Sequence, residues 1–471
     1  MPRPHFLALS AFLLLLALPA AATQIDVTQG GADALKPRIA TALDTLAGSL
    51  GAAGVRMERT GELMVEPAGN YYAVTTPAIV LHMPGGGTRT VGMVAINAIP
   101  TADPDIFRVA IALPTPMQDA DANGKATGSL SIGRQMMNGI LDTRAAMFTQ
   151  LDADYQTLRL TDNLHQTDLQ IADAAVSLRL AASDALWSGP AQMTLTNLTY
   201  RAPDHRYVIG RIAVNAALDG VDIIAKSTLP TNAALSPGGL VAAYIGRNAN
   251  TANMTIEGDD ITITSLIAGK PQTGKIAKFM LSANLAGLKT GLATAPFTLA
   301  ASGGSADGTA ARFMPATLDA RGTIAKLPLV DLLTAADTHA RKALLDKSAT
   351  TLTLDALALN APAYGLTGNA LLTSSGGAPL GATGALHASV RGMEDLAGFL
   401  SDSTATSALG LAVPPAVPAA IAMVAMTGLP GTDAGGQPVK NFDFKLDADG
   451  KINLNGADVS ALGPLLQGQQ K

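Results

Sequence analysis

Two short motifs carry residue types that could bind a ligand, and the first has the spacing of a phosphate loop. The run GKPQTGK, residues 269–275, matches the Walker A spacing and follows the strand-like segment ITITSLIA. Ile276 stands where the motif requires the magnesium-binding Ser or Thr. We therefore interpret the run as a hairpin loop and predict no nucleotide ligand.

The second motif begins like a calcium loop. Asp119, Asp121, Asn123 and Gly124 have the spacing of its first ligands and its glycine, but Leu130 stands at the twelfth position, where a bidentate Glu is required. We interpret the segment as a polar turn, with a weak calcium site as the alternative.

Histidines and carboxylates give no clearer pattern. His5 precedes the others, and His82, His165, His205, His339 and His387 are too far apart for a local zinc spacing. Asp152 with Asp154, and Asp447 with Asp449, could provide acid–base chemistry. In turns, however, such pairs are usually solvated residues that favour the turn conformation. No G-x-S-x-G elbow occurs, so we predict no enzyme, no catalytic residue, no cofactor site and no metal site.

Composition narrows the classes of function. The net charge is -5, and the 32 basic residues form no cluster, which argues against nucleic acid as a partner. The absence of cysteine excludes disulfides, thiolate metal sites and a lipidated cysteine. Charged residues make up 15% of the chain, against about 25% in ordinary soluble proteins. Together with a mean hydropathy of +0.26, this indicates more apolar surface than one core needs, and hence a lipid or protein partner.

The beginning of the sequence reads as an export signal. Arg3 precedes an apolar stretch from Phe6 to Leu18, and Ala20-Ala21-Ala22 supplies small residues for cleavage. The apolar stretch is shorter than the roughly 20 residues that cross a bilayer. Residues 1–22 are therefore predicted to be a cleaved signal peptide, and the mature protein is predicted to be periplasmic.

Most of the remaining chain alternates apolar and polar residues. This period of two is typical of antiparallel strands with one buried face. The clearest segments are residues 106–113, 176–180, 208–218, 352–359 and 442–446. The fold class predicted is mainly β, with large curved antiparallel sheets built of long hairpins and a few flanking amphipathic helices.

Turn and helix signals fit between these strands. Turns are predicted at residues 84–87, 258–260, 374–377 and 447–450, where Gly and Asp tolerate positive φ. Apolar residues spaced by three and four predict helices over 35–50, 329–344 and 393–400. Residues 133–151 are an ambiguous fourth helix.

One uncharged run, Ser407 to Leu429, is a candidate membrane span. Pro414, Pro415 and Pro418 interrupt it, and proline in a helix interior removes a hydrogen bond. A short buried helix from Pro418 to Met426 is therefore preferred. Leu-Pro pairs recur at Pro114, Pro230, Pro328 and Pro430, which leaves open a repeat of roughly 100 residues.

The C-terminal third resembles a known group of proteins. The order KLPLVDLL, an amphipathic helix, TLTLDALALNAP, a Gly-rich turn, GALHASVRGMEDLAGFL and FDFKLDADGKINLNG is similar to exported Gram-negative proteins of unknown function, distantly AsmA-like and YdgA-like. The resemblance implies a large curved antiparallel sheet and a role linked to envelope integrity and lipid handling. Many of these proteins keep a membrane anchor, whereas the signal here is predicted to be cleaved.

These observations predict an envelope protein that binds lipid or another envelope component through an apolar sheet face. An envelope hydrolase using distributed carboxylates and an outer-membrane β-barrel are the alternatives, although aromatics make up only 4% of the chain and the end Gln467–Lys471 is polar. The predicted regions are 23–150, 151–320 and 321–471, with the whole sheet continuous as an alternative.

Overall fold

The computed structural model describes residues 27–460, apart from residues 53, 85, 104, 144–146, 185, 223–248, 268–269, 336, 379–380, 403–405, 407–415 and 434. The predicted signal peptide, Pro230 and the polar segment Gln467–Lys471 lie outside the described residues.

Helices are few and strands dominate, as predicted. The helices are α1 (Gln29–Ala52), α2 (Leu329–Thr334), α3 (Thr338–Ser348), α4 (Met393–Ser401) and α5 (Ala416–Thr427), with short 3-10 helices at Leu288–Thr290 and Gly308–Arg312. The first strands are β1 (Arg56–Thr60), β2 (Met64–Ala68), β3 (Tyr71–Thr75), β4 (Ala78–His82), β5 (Thr88–Gly92), β6 (Ala95–Pro100), β7 (Ile106–Ala112), β8 (Met117–Ala120), β9 (Ala126–Asp142), β10 (Met147–Asp162), β11 (Thr167–Arg179), β12 (Ala181–Ser183) and β13 (Leu186–Arg201). The later strands are β14 (His205–Val221), β15 (Thr251–Ile267), β16 (Lys270–Ala286), β17 (Ala293–Ser302), β18 (Ser305–Ala306), β19 (Thr317–Leu327), β20 (Thr351–Asn360), β21 (Gly365–Ser374), β22 (Ala382–Arg391), β23 (Leu429–Thr432), β24 (Pro438–Leu446), β25 (Ile452–Leu454) and β26 (Ala457–Asp458).

The strands pair in antiparallel ladders of long hairpins, which confirms the predicted fold class. Contacts divide the chain into two compact units. Unit 1 comprises Met1–Pro203, Ala213–Ala252 and Leu333–Ala336, and unit 2 comprises Asp204–Ile212, Asn253–Leu332 and Asp337–Lys471. The predicted division into three regions stays a prediction.

Unit 1 is organised around the long strand β9. One edge of β9 pairs with β10, and the ladder continues through β11 to β13. The other edge is shared, because β8 pairs with its first part and β7 with its last part. One branch therefore runs β8–β5–β4–β1 and the other β7–β6–β3–β2.

Helix α1 fills the core of unit 1. Its apolar residues recur at helical spacing, and Leu35 and Leu43 are each only 2% exposed. They share one hydrophobic cluster with Phe107 of β7 and Phe148 of β10. Arg38 also places its guanidinium 4.0 Å from the buried carboxylate of Asp105. The helix predicted over 35–50 is thus confirmed, and it is the main packing partner of this sheet.

Unit 2 is a ladder of long strands. The order is β16–β17–β19–β20–β21–β22–β24, with β18 on β16 and both β23 and β25 on β24. The hairpin predicted around residues 447–450 joins β24 to β25, where the amide of Gly450 donates to the carbonyl of Asp447.

Several local predictions are wrong. Residues 133–151, the ambiguous helix, lie mainly in β9 and β10, because pairing on both edges of β9 satisfies its backbone. The turn predicted at residues 258–260 lies inside β15, where Asp260 has a φ of 53° without ending the strand. The helix predicted over 329–344 is two helices, since Asp337 caps α3 by accepting from the amide of Ala340.

Candidate functional site

A pocket of about 270 Å³ lies in unit 1, where three hairpins meet. The β4–β5, β8–β9 and β10–β11 turns and the strand ends beside them line it, and we call it the turn pocket. Its lining residues are Met83, Pro84, Gly87, Thr88, Arg89, Asp119, Ala120, Asp121, Ala122, Thr127, Gly128, Leu160, Thr161, Asp162, Leu164 and His165.

An ion pair lines this pocket. The Arg89 guanidinium donates from Nε to Oδ1 of Asp119 at 2.6 Å and from Nη2 to Oδ2 at 2.8 Å. The Arg89 side chain is 7% exposed and that of Asp119 is 24% exposed. Such a bidentate pair, largely shielded from solvent, fixes both groups and neutralises the charge that either could offer a ligand.

The segment that begins like a calcium loop is a polar turn, which confirms that interpretation. Oδ1 of Asp121 accepts from the amides of Asn123 and Lys125 at 2.9 and 3.0 Å. Asp119 is paired with Arg89 rather than turned toward the loop centre. Over the described residues, no group of three or more His, Cys, Asp and Glu side chains is arranged to hold a metal ion.

The far side of the turn pocket carries Asp162 and His165. Nδ1 of His165 lies 2.6 Å from Oδ2 of Asp162, and the amides of Leu164 and His165 donate to Oδ1. Burial acts to raise the pKa of Asp162, but these hydrogen bonds outweigh it and hold the pKa below its usual value. The carboxylate is therefore charged at neutral pH and serves the turn itself.

A smaller cavity lies beneath α1, with a volume of about 30 Å³. Leu35, Ile39, Phe107 and Phe148 are among its lining residues, all apolar. This is the space of about one water, and an apolar cavity of that size stays dry. The cavity is a packing defect of the core and has no room for a ligand.

The larger candidate surface is the apolar side of the sheet in unit 2. Alternate residues of its strands point to one side, and they are mostly leucine. We call this surface the leucine face. It consists of Phe297, Leu299, Leu318, Ile324, Leu352, Leu354, Leu357, Leu359, Leu366, Leu372 and Leu386.

The register aligns these residues in rows across the strands. Leu318 of β19 faces Leu359 of β20, which faces Leu366 of β21. Ile324, Leu352 and Leu372 form a parallel row farther along the same strands. An irregularity in β20 between Leu354 and Leu357 keeps both leucines on this face.

Between them lie rows that include small residues. Phe297 faces Gly322, which faces Leu354, and the row continues through Ala370 to Leu386. The opposite side of the same strands is mainly polar. It carries Thr298, Asp319, Arg321, Thr353, Thr367, Asn369, Thr373, His387 and Ser389.

The leucine face is covered far less than the core of unit 1. Every residue in it is half-buried, whereas in unit 1 Phe107 is 2% and Ile79 is 0% exposed. The apolar sides of the sheets in units 1 and 2 have the same alternating pattern, but the one in unit 2 is less buried. An apolar surface that keeps partial solvent access across several strands is a candidate binding surface.

Helices mark the two strand ends of the leucine face. At one end Asp346 of α3 accepts from the hydroxyl of Ser374, and Thr350 donates to the carbonyl of Lys326 at 3.0 Å. At the other end Phe399 of α4 stacks on Phe313, with ring centroids 4.2 Å apart. The half-buried residues of the face lie along the strands between these contacts.

Helix α5 packs beside the leucine face. Its Ala425 belongs to a hydrophobic cluster that also contains Phe442 and Leu454, and its Ile421 and Val424 pack against that cluster. Leu366 of the leucine face packs against the same cluster. The run preferred as a short buried helix is therefore helical. Among its described side chains Ala425 is buried, whereas Met426 is 81% exposed. None of the described helices combines the length and apolar character needed to cross a bilayer.

The remaining motif residues do not converge on a site. Residues 270–275 of the Walker-like run extend along β16, so the predicted hairpin loop is wrong for that part, and Gly269 lies outside the described residues. Asp152 and Asp154 lie inside β10, so the interpretation of this pair as turn residues is wrong. Asp152 is paired with Arg179 at 2.5 Å, Asp447 with Lys445 at 3.2 Å and Asp449 with Lys451 at 3.4 Å.

The structure also shows a pattern that sequence reasoning missed. Four histidines lie within hydrogen-bond reach of a carboxylate. The pairs are His82 with Glu58, His165 with Asp162, His205 with Asp204 and His387 with Asp443. The His165 and His205 pairs are local in sequence and could have been found by spacing, whereas the other two depend on strand register.

Comparison of the chain with known protein families, curated proteins and solved structures gave no match. The resemblance to AsmA-like and YdgA-like proteins therefore stays a prediction.

Proposed function

We propose that this protein binds lipid in the bacterial periplasm, with the acyl chains lying on the leucine face of unit 2. The observation that carries the proposal is the half-burial of this face across β17, β19, β20, β21 and β22. Apolar surface of this kind gains roughly 25 cal/mol per Å² when a ligand covers it. The predicted signal peptide and the low charge content support the location and the ligand class.

The dimensions of the face suit an acyl chain. From Leu318 to Ile324 the strand advances by six residues, or about 20 Å at roughly 3.3 Å per residue. The chains of one bilayer leaflet extend about 15 Å, half of a hydrocarbon core of about 30 Å. A chain lying along the strands would therefore be accommodated between the contacts of α3 and α4.

The chemistry of the face favours lipid over a protein segment. Protein interfaces are enriched in Tyr, Trp, Met and Arg at their centres, and leucine is uncommon among their dominant residues. Phe297 is the single aromatic among the residues that define the leucine face, and none of those residues is charged. An aliphatic surface of this kind offers dispersion and burial without the polar anchors that orient a protein.

The test compares two faces of one strand. Leu354→Asn with Leu357→Asn places amides on the leucine face, and Thr353→Asn with Ala358→Asn places the same amides on the opposite face of β20. Binding of a fluorescent fatty acid to the full chain is measured, and organic extracts are analysed by mass spectrometry. We expect the first pair to lose binding at least about tenfold, a change of about 1.4 kcal/mol.

Equal fatty-acid binding by both variants and the unaltered protein would refute the proposal that the ligand lies on the leucine face. Circular dichroism and urea unfolding of each variant separate loss of binding from loss of folding. Release of a protein segment rather than lipid from the purified chain would favour a protein ligand instead.

A further inference from the structure

The turn pocket contains a carboxylate oxygen that no described residue engages. Oδ1 of Asp121, one of the lining residues, accepts from the amides of Asn123 and Lys125 in its own turn. Among the described residues, no donor lies within hydrogen-bond distance of its Oδ2, and the ammonium of Lys125 forms no ion pair with it. A charged oxygen at a pocket wall is thus available for a charge-assisted hydrogen bond to a ligand.

The lining of the pocket keeps a negative charge in either state of its histidine. It contains the carboxylates of Asp119, Asp121 and Asp162 against the guanidinium of Arg89 and the imidazole of His165. Even with that imidazole protonated, three negative charges meet two positive ones. Asp119 and Asp162 already have partners in Arg89 and His165, so the surplus charge resides at Asp121. The pocket therefore attracts a cation and repels an anion.

Part of the lining is apolar, and this part favours an organic cation over a metal ion. Met83, Pro84, Leu160 and Leu164 line the pocket beside the polar groups, and Leu164 is 67% exposed. Calcium and magnesium take oxygen ligands, and the part of the chain that the structure describes provides no group of three or more metal-binding side chains. A ligand with carbon atoms would instead cover the leucines and remove their apolar surface from water, which is favourable.

Close backbone contacts preform the pocket. A Cβ at Gly87 would lie 3.1 Å from the carbonyl oxygen of Ala120, and one at Gly128 would lie 2.3 Å from that of Thr161. Because glycine has no Cβ, the neighbouring strands can approach this closely. The volume of about 270 Å³ is just below the roughly 300–1,000 Å³ of sites for drug-sized ligands. The pocket therefore suits a small molecule.

We propose that the turn pocket binds a small alkylammonium ion, with the ammonium at Oδ2 of Asp121 and the alkyl chain against Leu160 and Leu164. A primary ammonium carries three donors. The imidazole of His165, whose Nδ1 lies 2.6 Å from Oδ2 of Asp162, accepts one of them at Nε2 when it is neutral. The site lies in unit 1 and does not depend on the proposed lipid binding.

Calorimetric titration of the full chain tests the proposal, with n-butylammonium chloride as the probe. n-Butanol and butyrate are the neutral and anionic comparisons of similar size. Asp121→Asn removes the charge but keeps an oxygen for the two amides of the turn. The matched control is Asp433→Asn, because Oδ1 of Asp433 accepts from the amides of Gly435 and Gln437 in a turn of the same form in unit 2. We expect Asp121→Asn to weaken butylammonium binding roughly tenfold and Asp433→Asn to leave it unchanged.

Failure of the unaltered protein to bind butylammonium overturns the proposal, as does equal affinity for n-butanol or butyrate. Equal butylammonium binding by Asp121→Asn and the unaltered protein also overturns it, and so does an equal loss in the Asp433→Asn control. Tighter binding of Ca²⁺ than of butylammonium, abolished by Asp121→Asn, would assign the pocket to a metal ion instead. Urea unfolding of each variant separates loss of binding from loss of folding. Leu164→Ser, at an exposed position, should reduce the preference for butylammonium over methylammonium.

Discussion

Arg89 of β5 and Asp119 of β8 form a bidentate ion pair between neighbouring strands, with donor–acceptor distances of 2.6 and 2.8 Å. The pair lies directly opposite in the register of the two strands. It therefore links β5 and β8 beside the turn pocket. It also engages the carboxylate of Asp119, which would be the first oxygen ligand of the calcium motif.

Asp119→Asn should destabilise the protein by about 3 kcal/mol, because it leaves the buried guanidinium of Arg89 without its charge partner. Urea unfolding at neutral pH measures the change. The matched control is Asp168→Asn, which breaks the pair with Arg159, whose side chain is 54% exposed, and should cost less than about 1 kcal/mol. Equal costs for the two variants would contradict the burial of the Arg89 pair.

Gly322→Ala should destabilise unit 2 by about 1–3 kcal/mol, as overpacked sites do. A Cβ at Gly322 would lie 2.2 Å from the carbonyl oxygen of Thr353 on β20. Gly274→Ala in β16 is the control, since its Cβ meets nothing within 4 Å. Chemical denaturation of both variants makes the comparison, and similar midpoints would argue against the register of β19 with β20.

The contact between Asp346 and Ser374 should make stability depend on pH. The Ser374 hydroxyl and, more weakly, the Lys342 ammonium lower the pKa of Asp346, against a smaller opposing effect of burial. A lowered folded pKa adds stability above the unfolded pKa of about 4, and this stability is lost as the pH falls through the folded value.

Ser374→Ala should therefore cost stability at neutral pH, and the cost should shrink in the acid range below about pH 4. Thermal unfolding followed across that range measures it. Ser302→Ala, at an exposed serine that ends β17, is the control. A cost for Ser374→Ala that stays constant with pH would show that the hydroxyl does not act through the carboxylate.

Leu357→Ala on the leucine face should cost the ligand-free protein about 1 kcal/mol, because its side chain is only half-buried. Leu43→Ala in α1, where the leucine is 2% exposed, should cost about 2–5 kcal/mol. Unfolding measured after delipidation compares the two. A comparable cost would identify the leucine face as an ordinary core and remove the basis of the proposed function.

Local periodicity predicted the strands well. The alternating segments 352–359 and 442–446 form β20 and β24. They could be predicted because neighbouring side chains of a strand point to opposite sides, so the burial pattern is visible in consecutive residues. The turn at residues 447–450 was predicted from its Gly and Asp residues, which tolerate positive φ, and Gly450 has a φ of 89°. Residues 133–151 misled the prediction because pairing with the neighbouring strands β7, β8, β10 and β11, rather than their own periodicity, determines their conformation.

The candidate sites were harder to predict because they depend on neighbours that are distant in sequence. The alternation of Leu352, Leu354, Leu357 and Leu359 indicates an apolar face, but only the packing of helices decides how open it is. The turn pocket likewise joins Arg89, Asp119 and His165 through strand register. Those residues have no distinctive spacing along the chain.

The position of α1 at the start of unit 1 has a consequence for how the chain folds. Leu35 and Ile39 are synthesised long before Phe107, Leu141 and Phe148, which line the same cavity beneath the helix. Contacts of such sequence separation form slowly because a long loop must close first. Until β10 is available, α1 exposes an apolar stripe, and chains truncated before Phe148 should require a chaperone to stay unaggregated.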